Sequence, residues 1–309
     1  MEASQTIIQV KQLKKKYNDF YAVNGVNFEV QRGEIFGLLG PNGAGKTTTI
    51  EMLVGLRKPD AGTALIAGYD VQKQTAEIKK EIGIQLQSTS LFELLKVKET
   101  VEMYASFYPS HLSIQPLLEE MLLTEKQNSL VKELSGGQKQ RLAIALAMIH
   151  DPQVIFLDEP TTGLDPQARR TLWDIILNLK KKGKTVLLST HYMDEAYVLS
   201  DRIGIMDRGQ LIALDSPKNL IQSIQSESAI EFKTETPYSE QTFAEIEGVQ
   251  KVVINHEYVT LYTNHLQETL INFLTFTSER SIAFSSLQTR TATLEDVFLH
   301  LTGRGLREE

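Results

Sequence analysis

The stretch Gly40-Pro41-Asn42-Gly43-Ala44-Gly45-Lys46-Thr47 decides the fold of this chain of 309 residues. It fits the pattern G-x4-G-K-[ST], and it stands between a predicted buried strand at Glu34–Leu39 and a predicted helix at Thr47–Val54. Glycines let successive backbone N–H groups turn inward around phosphate oxygens, and the helix that follows directs its positive end at the same anion. The stretch therefore predicts a phosphate-binding loop at the edge of an α/β sheet.

Three side chains at the end of this loop indicate the chemistry it would serve. Lys46 would neutralise the β- and γ-phosphates of a nucleotide, the Thr47 hydroxyl would hold Mg²⁺, and Thr48 belongs to the same phosphate-binding set. The alternative is a glycine-rich turn that matches the pattern by chance. The strand before the loop and the helix after it are the context that the pattern requires, and they favour the nucleotide site.

A second signal is Val154-Ile155-Phe156-Leu157-Asp158-Glu159, a predicted buried strand that ends in two carboxylates. Charges at the end of an apolar strand are costly unless they meet a cation or water. Asp158 would hold Mg²⁺ through its water shell, and Glu159 would act as the general base toward the attacking water. A solvated pair of acids is the alternative, and the presence of Lys46 disfavours it.

The chain around these motifs alternates short strands, rich in β-branched residues, with helical patterns. This alternation predicts a mostly parallel sheet covered by helices. Further predicted strands are Ile7–Leu13, Val23–Val30, Thr185–Thr190 and Ile203–Asp207, and further predicted helices are Lys98–Phe107, Gln138–Ile149, Gln167–Lys180 and Met193–Leu199.

The last part of the chain differs in charge and in pattern. From Gln222 to the end there are 6 basic and 13 acidic residues, so this segment carries the whole net charge of −7. Ser216-Pro217 and the run from Gln222 to Ser228 are typical of a connector, and we place the domain boundary between residues 221 and 222. Residues 222–309 follow the predicted order β-α-β-β-α-β, which indicates a small α+β domain of the ferredoxin-like kind.

The composition excludes several classes of function. Because 32 basic residues stand against 39 acidic ones, we expect no general affinity for nucleic acid. The chain has no cysteine, which excludes disulfides, Cys-ligated zinc, iron–sulfur clusters and thiol nucleophiles, and which fits a reducing compartment. No secretory leader is visible, and no apolar run reaches the roughly 20 residues of a membrane span, so we do not expect the chain to cross a bilayer.

The most specific signal is Leu134-Ser135-Gly136-Gly137-Gln138, continued by Lys139-Gln140-Arg141-Leu142. With this segment the chain resembles the ATPase subunit of ATP-binding cassette (ABC) transporters. The resemblance implies a head-to-tail dimer in which Ser135, Gly136, Gly137 and Gln138 of one subunit complete the ATP site of the other, with Ser135 and Gly137 at the γ-phosphate. Ser135 is also a good N-cap, so plain helix capping is a second interpretation, compatible with the first.

The same resemblance assigns two residues on the nucleotide side of the site. Tyr17 matches the aromatic residue that stacks on adenine, with Phe20 and Tyr21 nearby as alternatives. Gln87 matches the glutamine whose side chain reaches Mg²⁺ and the attacking water, and Gln85 is its alternative. We prefer Gln87 because of its distance from the helix that follows.

The resemblance also assigns residues on the far side of the γ-phosphate. Gly163-Leu164-Asp165-Pro166 matches the loop that crosses the dimer interface, and His191 matches the histidine that contacts the γ-phosphate. The implied fold is a P-loop ABC ATPase core with an antiparallel β subdomain and a helical subdomain. Within the helical subdomain, residues 88–108 would receive a membrane partner through Leu91, Phe92, Leu94 and Leu95, with ordinary core packing as the alternative.

The segment Thr293–Gly303 narrows the resemblance, because it is similar to the C-terminal segment of the bacterial drug- and antibiotic-exporter branch of the family. The family implies an ATPase at the cytoplasmic face of the membrane that uses ATP and Mg²⁺, pairs with a second copy or a paralogous subunit, and drives export through separate integral-membrane permease subunits. Two other functions stay open: a non-transport ABC ATPase, and a regulatory nucleotide-binding subunit with negligible turnover. The lack of sustained heptads and of a second cassette disfavours the first, and Glu159 disfavours the second.

Overall fold

The computed structural model describes residues 6–87, 90–223 and 228–303. By its internal contacts the chain divides into two compact units, Met1–Ser216 and Pro217–Glu309. The division lies near the boundary placed between residues 221 and 222 from the sequence, which itself stays a prediction. Each unit has hydrophobic core clusters of its own.

The first unit alternates strands and helices along its described residues. Its strands are β1 (Thr6–Tyr17), β2 (Phe20–Gln31), β3 (Ile35–Leu39), β4 (Ala61–Ile66), β5 (Tyr69–Asp70), β6 (Ile82–Gln85), β7 (Val154–Asp158), β8 (Thr185–Thr190), β9 (Arg202–Asp207) and β10 (Gln210–Asp215). Its helices are α1 (Lys46–Leu53), α2 (Thr75–Glu81), α3 (Val97–Ala105), α4 (Ile114–Glu120), α5 (Gly136–Met148), α6 (Pro166–Lys181) and α7 (Met193–Leu199), with short 3-10 turns at Thr124–Lys126 and Val131–Glu133.

The central sheet of this unit has the strand order β10-β9-β3-β8-β7-β6, and its neighbouring strands are parallel except for β9 with β10. Every residue of β3, β7 and β8 is buried, as expected of strands that are covered on both faces. The phosphate-binding loop follows β3, Glu159 follows β7 and His191 follows β8. Because the carboxyl ends of parallel strands meet at one edge of a sheet, the fold gathers these motifs there.

A second sheet, with the order β2-β1-β4-β5, is antiparallel. It shares one core with the central sheet, where Phe28 of β2 stacks on Phe36 of β3 with ring centroids 5.0 Å apart. The other face of the central sheet shares a core with α3, α4, α5 and α6. The predicted α/β core with antiparallel and helical subdomains is confirmed, although residues 88 and 89 of the predicted helical segment lie outside the described residues.

The second unit is a four-stranded antiparallel sheet with helices. Its elements in chain order are α8 (Pro217–Ser223), β11 (Ser228–Lys233), α9 (Glu240–Ala244), β12 (Val249–Asn255), β13 (Tyr258–Thr263), α10 (Leu266–Glu279), β14 (Ser285–Thr291) and α11 (Leu294–Thr302). The strand order β12-β13-β11-β14 places β13 between the two strands of the first β-α-β unit and β11 between the two strands of the second. This is the split β-α-β arrangement of ferredoxin-like folds, as predicted.

A buried charge network fixes α11, the helix whose sequence resembles the exporter tail. Asp296, which is 3% exposed, accepts hydrogen bonds at both carboxylate oxygens from Arg290 of β14, and its Oδ1 accepts another from Tyr262 Oη of β13 at 2.6 Å. Its Oδ2 also accepts from the backbone N–H and the hydroxyl of Thr293. Burial alone would raise the pKa of Asp296, but Arg290 and Tyr262 hold that pKa below its ordinary value.

Candidate active site

The phosphate-binding loop connects β3 with α1, and its close packing requires glycine at two positions. Gly45 has a φ of 100°, and a Cβ there would lie 2.2 Å from the carbonyl oxygen of Ala22 in β2. A Cβ at Gly40 would lie 2.2 Å from the carbonyl oxygen of Met206 in β9. Side chains at either position would push the loop off the strands that support it, so the glycines set its position as well as its backbone conformation.

The loop borders a cavity of 580 Å³ that brings together residues from the ends of several strands. The loop itself, the glutamine after β6, the carboxylate after β7 and the histidine after β8 all face this space. The lining residues are Phe20, Ala22, Asn42, Gly43, Gly45, Lys46, Thr47, Thr48, Gln87, Glu159, Thr162 and His191.

Lys46 is the buried cation of the cavity, with 4% of its surface exposed. Its Nζ donates to the carbonyl oxygens of Gly40, at 2.8 Å, and Pro41, at 3.0 Å, and lies 3.4 Å from Glu159 Oε1. Burial lowers the pKa of Lys46, while the neighbouring carboxylates of Glu159 and Asp158 act in the opposite direction. The ammonium group therefore lies among acceptor oxygens at the opening of the loop. An anion that enters the cavity can take the place of the longer of these contacts.

Glu159 is the carboxylate on which four polar side chains of the cavity converge. Its Oε2 accepts from Gln87 Nε2 at 3.3 Å and from Thr162 Oγ1 at 3.1 Å, and its Oε1 lies 3.3 Å from His191 Nδ1. Burial alone would raise the pKa of Glu159, but Lys46 and His191 lower it below the ordinary value, so the group is ionised at neutral pH. Its φ of 48° is uncommon for a residue other than glycine, and such strain concentrates at functional sites.

Asp158 ends β7 beside the first turn of α1. Its Oδ1 accepts from Thr47 Oγ1 at 3.2 Å and from the hydroxyl of Ser189, whereas its Oδ2 is buried without a hydrogen-bond partner among the described residues. Burial raises the pKa of Asp158, and the bonds from Ser189 and Thr47 offset part of that rise. Carboxylate and hydroxyl oxygens are the ligands that Mg²⁺ prefers, so this pair fits such an ion.

The structure separates the residues that the sequence left as alternatives. Gln87 lines the cavity, while Gln85 is buried and donates to the next carbonyl along the chain. Of the three aromatic candidates, Phe20 is the one that lines the cavity as the structure describes it. Tyr17 instead has the guanidinium of Arg57 5.4 Å from its ring centre, and its predicted contact with adenine stays a prediction.

The glycine-rich segment after Leu134 forms the start of α5, outside this cavity. Ser135 caps the helix, since its Oγ accepts from the N–H of Gln138 at 3.3 Å and its own N–H donates to Gln138 Oε1 at 2.9 Å. Ser135 and Gly136 are exposed, and in the described structure the segment contributes no lining residue to the cavity of Lys46.

The start of α5 packs closely on the start of α6. A Cβ at Gly137 would lie 2.9 Å from the Cβ of Ala168 in α6, so glycine allows the two helix ends to approach. Asp165 caps α6, because its Oδ1 accepts from the N–H groups of Gln167, at 3.0 Å, and Ala168, at 2.9 Å. The capping accounts for this aspartate within the subunit, and its predicted role at a dimer interface stays a prediction.

Comparisons with known proteins agree with this arrangement. The family model for ABC transporters matches residues 23–162. Nod factor export ATP-binding protein I of Burkholderia lata is 37% identical over 314 residues, which cover 97% of this chain and 98% of that protein. The chain belongs to the ABC transporter family. A second relative, the linearmycin resistance ATP-binding protein LnrL of Bacillus subtilis, is 35% identical over 312 residues, which cover 98% of this chain and 100% of that protein.

Solved structures of ABC cassettes have the same fold. The dimeric post-hydrolysis state of the ATP-binding cassette MJ0796, bound to ADP and Pi, matches with a TM-score of 0.62 and 28% identity over 68% of this chain and 98% of that one. CbiO1 from Clostridium perfringens matches with a TM-score of 0.64, 28% identity and coverage of 72% and 95%. Our chain is accordingly an ATP-binding ABC subunit that hydrolyses ATP. None of its helices, as far as they are described, is long and apolar enough to cross a membrane.

Two polar residues of this ABC ATPase site were not predicted from the sequence, and one aromatic residue was not the preferred candidate. Thr162 donates to Glu159, Ser189 donates to Asp158, and Phe20, named only as an alternative, lines the cavity. Ser189 could have been found, because it is a polar residue in the buried strand Thr185–Thr190. No local signal marks Thr162.

Proposed function

We propose that Glu159 is the general base of ATP hydrolysis in this ABC subunit and that Lys46, His191 and Gln87 complete its catalytic set. The observation that carries the proposal is the environment of Glu159, whose two carboxylate oxygens face Lys46 and His191 on one side and Gln87 and Thr162 on the other. The cation keeps the base ionised, and the polar groups hold its orientation.

The reaction is an in-line displacement. The water oxygen forms a bond to the γ-phosphorus, the bond from that phosphorus to the oxygen bridging to the β-phosphorus breaks, and the proton of the water passes to Glu159. Lys46 would stabilise the negative charge that develops on the transferred phosphoryl group. His191 would hold the γ-phosphate, and the loop residues 40–48 would surround the phosphates with their N–H groups.

The same proposal includes Mg²⁺ at Thr47 and Asp158, with Gln87 as a third contact. The unpartnered Oδ2 of Asp158 and the adjacent Thr47 hydroxyl support it. When bound there, the ion would neutralise negative charge on the phosphates of the nucleotide. Asp158 would bind it directly or through its water shell, and Ser189 would keep the carboxylate in place.

A dimer is the second part of the proposal. The exposed start of α5, with Ser135, Gly136, Gly137 and Gln138, would complete the ATP site of a partner subunit, and the loop of Asp165 would cross the interface. The support is that this segment presents a helix N-terminus to solvent, away from the cavity of its own chain. The partner would be a second copy or a paralogous subunit.

A mixing experiment tests the dimer. A Ser135→Arg chain should bind ATP as a monomer but fail to close, and a Lys46→Ala chain should have lost its own phosphate clamp. Mixed together they assemble one intact composite site, and we expect phosphate release to reappear. Heterodimers that form without any recovery of turnover would contradict the trans arrangement.

The third part of the proposal concerns export through membrane permease subunits, with this subunit at the cytoplasmic face of the membrane. The relatives named for Nod factor export and linearmycin resistance support it. A groove of 540 Å³ lined by Gln87, Ser90, Leu91, Glu93, Val131, Lys139, Gln140 and Ala143 offers a docking place beside the active site. Phe92 and Leu94 next to it are exposed. Of the four predicted groove residues, Leu91 is the one that lines it as described.

The test is capture of the permease. The tagged chain should retain, from detergent-solubilised membranes, a polytopic protein encoded beside it, and a Leu91→Glu variant should lose that protein while it keeps basal phosphate release. A variant with a substitution at Tyr258, an exposed aromatic residue of the second unit, provides the control. Capture that survives Leu91→Glu unchanged would exclude this groove as the docking place.

A further inference from the structure

A buried carboxyl group that the proposed mechanism does not use lies beneath the active site. Glu195, on α7, is fully buried. Its Oε1 accepts a hydrogen bond from the indole Nε1 of Trp173, on α6, at 2.9 Å. Its Oε2 and the hydroxyl oxygen of Thr161 are both buried without a hydrogen-bond partner within the described residues.

The groups around Glu195 belong to the segments that carry the catalytic residues. The hydroxyls of Thr190 and Thr161 adjoin its carboxyl group. Thr190 ends β8 directly before His191, and Thr161 lies next to Thr162, which donates to Glu159. One side chain therefore adjoins the histidine loop, the segment after the base, and α6.

A second contact ties the same elements together nearby. The guanidinium of Arg169, in the first turns of α6, lies 4.2 Å from the ring centre of Tyr192, and its Nη1 lies 3.6 Å from Asp194 Oδ2. Tyr192 follows His191, and its N–H donates to Thr190 Oγ1 at 2.9 Å. Direct contacts thus join the start of α6 to the histidine loop.

We propose that Glu195 is a positioning residue for ATP hydrolysis. Its side chain acts as a neutral carboxylic acid that accepts a hydrogen bond from Trp173 and donates one to Thr161. It thereby holds the His191 loop and the Glu159–Thr162 turn in fixed relation. The inference rests on the proposed roles of Glu159 and His191. It adds a residue that does not line the cavity of Lys46.

The chemistry of the pocket favours the neutral acid. An ionised carboxylate would bury one charged oxygen without a hydrogen bond, which is costly, whereas a protonated Oε2 is a donor beside an unpartnered hydroxyl oxygen. Burial raises the pKa of Glu195, and the adjoining hydroxyls of Thr190 and Thr161, the hydrogen bond from Trp173 and the charge of Arg169 oppose only part of that rise. Arg169 also forms an ion pair with Asp194, so its charge acts on two carboxyl groups and not on Glu195 alone.

Two substitutions in the full chain test the proposal. Glu195→Gln keeps an acceptor for Trp173 and supplies an N–H donor for Thr161, so we expect its kcat to stay within about twofold of the wild type. Glu195→Ala removes both contacts, and its kcat should fall by at least about tenfold, because a misplacement of about 1 Å can cost a factor of about 100. The affinity for ATP should stay unchanged in both, since the contacts of Lys46 are untouched.

Glu34→Ala is the matched control for removing a buried glutamate. Glu34 pairs with Arg202 at 3.2 Å, burial also raises its pKa, and it precedes β3 at the opposite end of the strand from the phosphate-binding loop. We expect this variant to lower the melting temperature without lowering kcat. A loss of kcat in Glu195→Ala alone therefore reports positioning and not general destabilisation.

Trp173 supplies a readout that does not depend on activity, because it is the single tryptophan of the chain. Its emission should shift in Glu195→Ala and stay as in the wild type in Glu195→Gln. Should Glu195→Ala fail to fold, Trp173→Phe removes the same hydrogen bond and keeps a ring, and its kcat should fall severalfold.

Two results would overturn the proposal. The first is a wild-type kcat in Glu195→Ala or, if that variant does not fold, in Trp173→Phe. The second is a loss of kcat in Glu195→Gln as large as that in Glu195→Ala. Glu159→Gln, measured in parallel, tests the proposed base separately. Wild-type hydrolysis in that variant would refute the role of Glu159, whatever the Glu195 variants do.

Discussion

Glu159 in the first unit and Asp296 in the second are both buried carboxylates whose pKa is lowered by a neighbouring cation, but their surroundings differ. Asp296 takes short hydrogen bonds from Arg290, Tyr262 and Thr293 on both of its oxygens. The contacts of Glu159 to Lys46 and Gln87 are longer, at 3.4 and 3.3 Å.

The difference extends to the neighbours of each carboxylate. Beside Glu159, the buried Oδ2 of Asp158 has no hydrogen-bond partner in the described chain. Unused bonding capacity in a buried polar cluster is rare in folded proteins and points to a ligand. A saturated cluster stabilises a fold, whereas an unsaturated one keeps capacity for a substrate, and the predictions below test that distinction.

The largest effect should come from Glu159→Gln, which breaks the unsaturated cluster while it preserves volume. The amide cannot take a proton from water, so we expect phosphate release to fall by about 100-fold or more. ATP should still bind, and a long-lived dimer with trapped ATP should be visible by gel filtration. Thermal stability should change little, because the native contacts of Glu159 are long. Near-normal hydrolysis would refute its assignment as the base.

Lys46→Ala should have the next largest effect, and it acts on binding. Removing the ammonium group removes charge-assisted hydrogen bonds to phosphate, so we expect the affinity for a non-hydrolysable ATP analogue to fall by about tenfold or more in calorimetry. Lys184→Ala is the control, since Lys184 is also mostly buried but pairs with Asp151. Unchanged affinity in Lys46→Ala would mean that this loop is not the principal phosphate site.

Arg290→Met breaks the saturated cluster and should change stability instead of turnover. It leaves Asp296 buried without its cation, which costs about 3 kcal/mol for a pair of this kind. Hydrogen exchange of β11 to β14 should rise, while kcat per folded molecule stays at the wild-type value. Arg280→Met is the control, because the exposed pair of Arg280 with Glu245 should be worth less than about 1 kcal/mol.

The pH dependence of the free energy of unfolding tests the role of Asp296 in the saturated cluster. Because the pKa of Asp296 is lowered in the folded chain, its contribution is fully present above the unfolded value of about 3.9 and is lost as the pH falls through the folded value. The stability difference between wild type and Arg290→Met should therefore shrink in acid. A difference that stays constant down to the acid limit would show that Asp296 is not the partner that matters.

The smallest effect on ATP binding should follow from removing residues 222–309, which make up most of the second unit. Residues 222–309 contain none of the matched nucleotide motifs, so the chain 1–221 should bind ATP with an affinity within about twofold of the full chain. Its ATP-dependent dimerisation or its association with the permease should weaken, because α11 and its unit would be missing. A soluble truncation that supports transport fully would refute the interaction role, and a folded truncation that no longer binds ATP would refute the boundary.

The sequence predicted the parts of the site that end buried strands. The strand predicted as Glu34–Leu39 is β3, the strand predicted from Val154 to the carboxylate pair Asp158-Glu159 is β7, and the strand predicted as Thr185–Thr190 has those bounds in the structure. Such strands are continuous apolar runs followed by glycine or a charged residue, so their ends can be predicted from the sequence. The β-α-β-β-α-β order of the second unit was also predicted, because turn residues separate its short elements.

The strands β4, β5, β6 and β10 were missed because they are short, contain glycine or polar residues, or lie at an edge of a sheet. Contacts between distant segments were missed for another reason. Glu195 lies in a short helix next to Asp194, and an acidic residue there is normally solvated. Trp173 of α6 and the segments of Thr161 and Thr190 surround it, and no local sequence pattern indicates these contacts between distant segments.

The central position of β3 has a consequence for the order in which the molecule is made. Ile35 pairs with Val186 and Phe36 with Arg202, so the strand that carries the phosphate-binding loop gains both of its neighbours only after most of the first unit has left the ribosome. At about 5–20 residues per second, the loop waits on the order of ten seconds for them. The nascent chain therefore cannot use ATP as a folding ligand early, and β3 stays without both of its partner strands while most of the first unit is made.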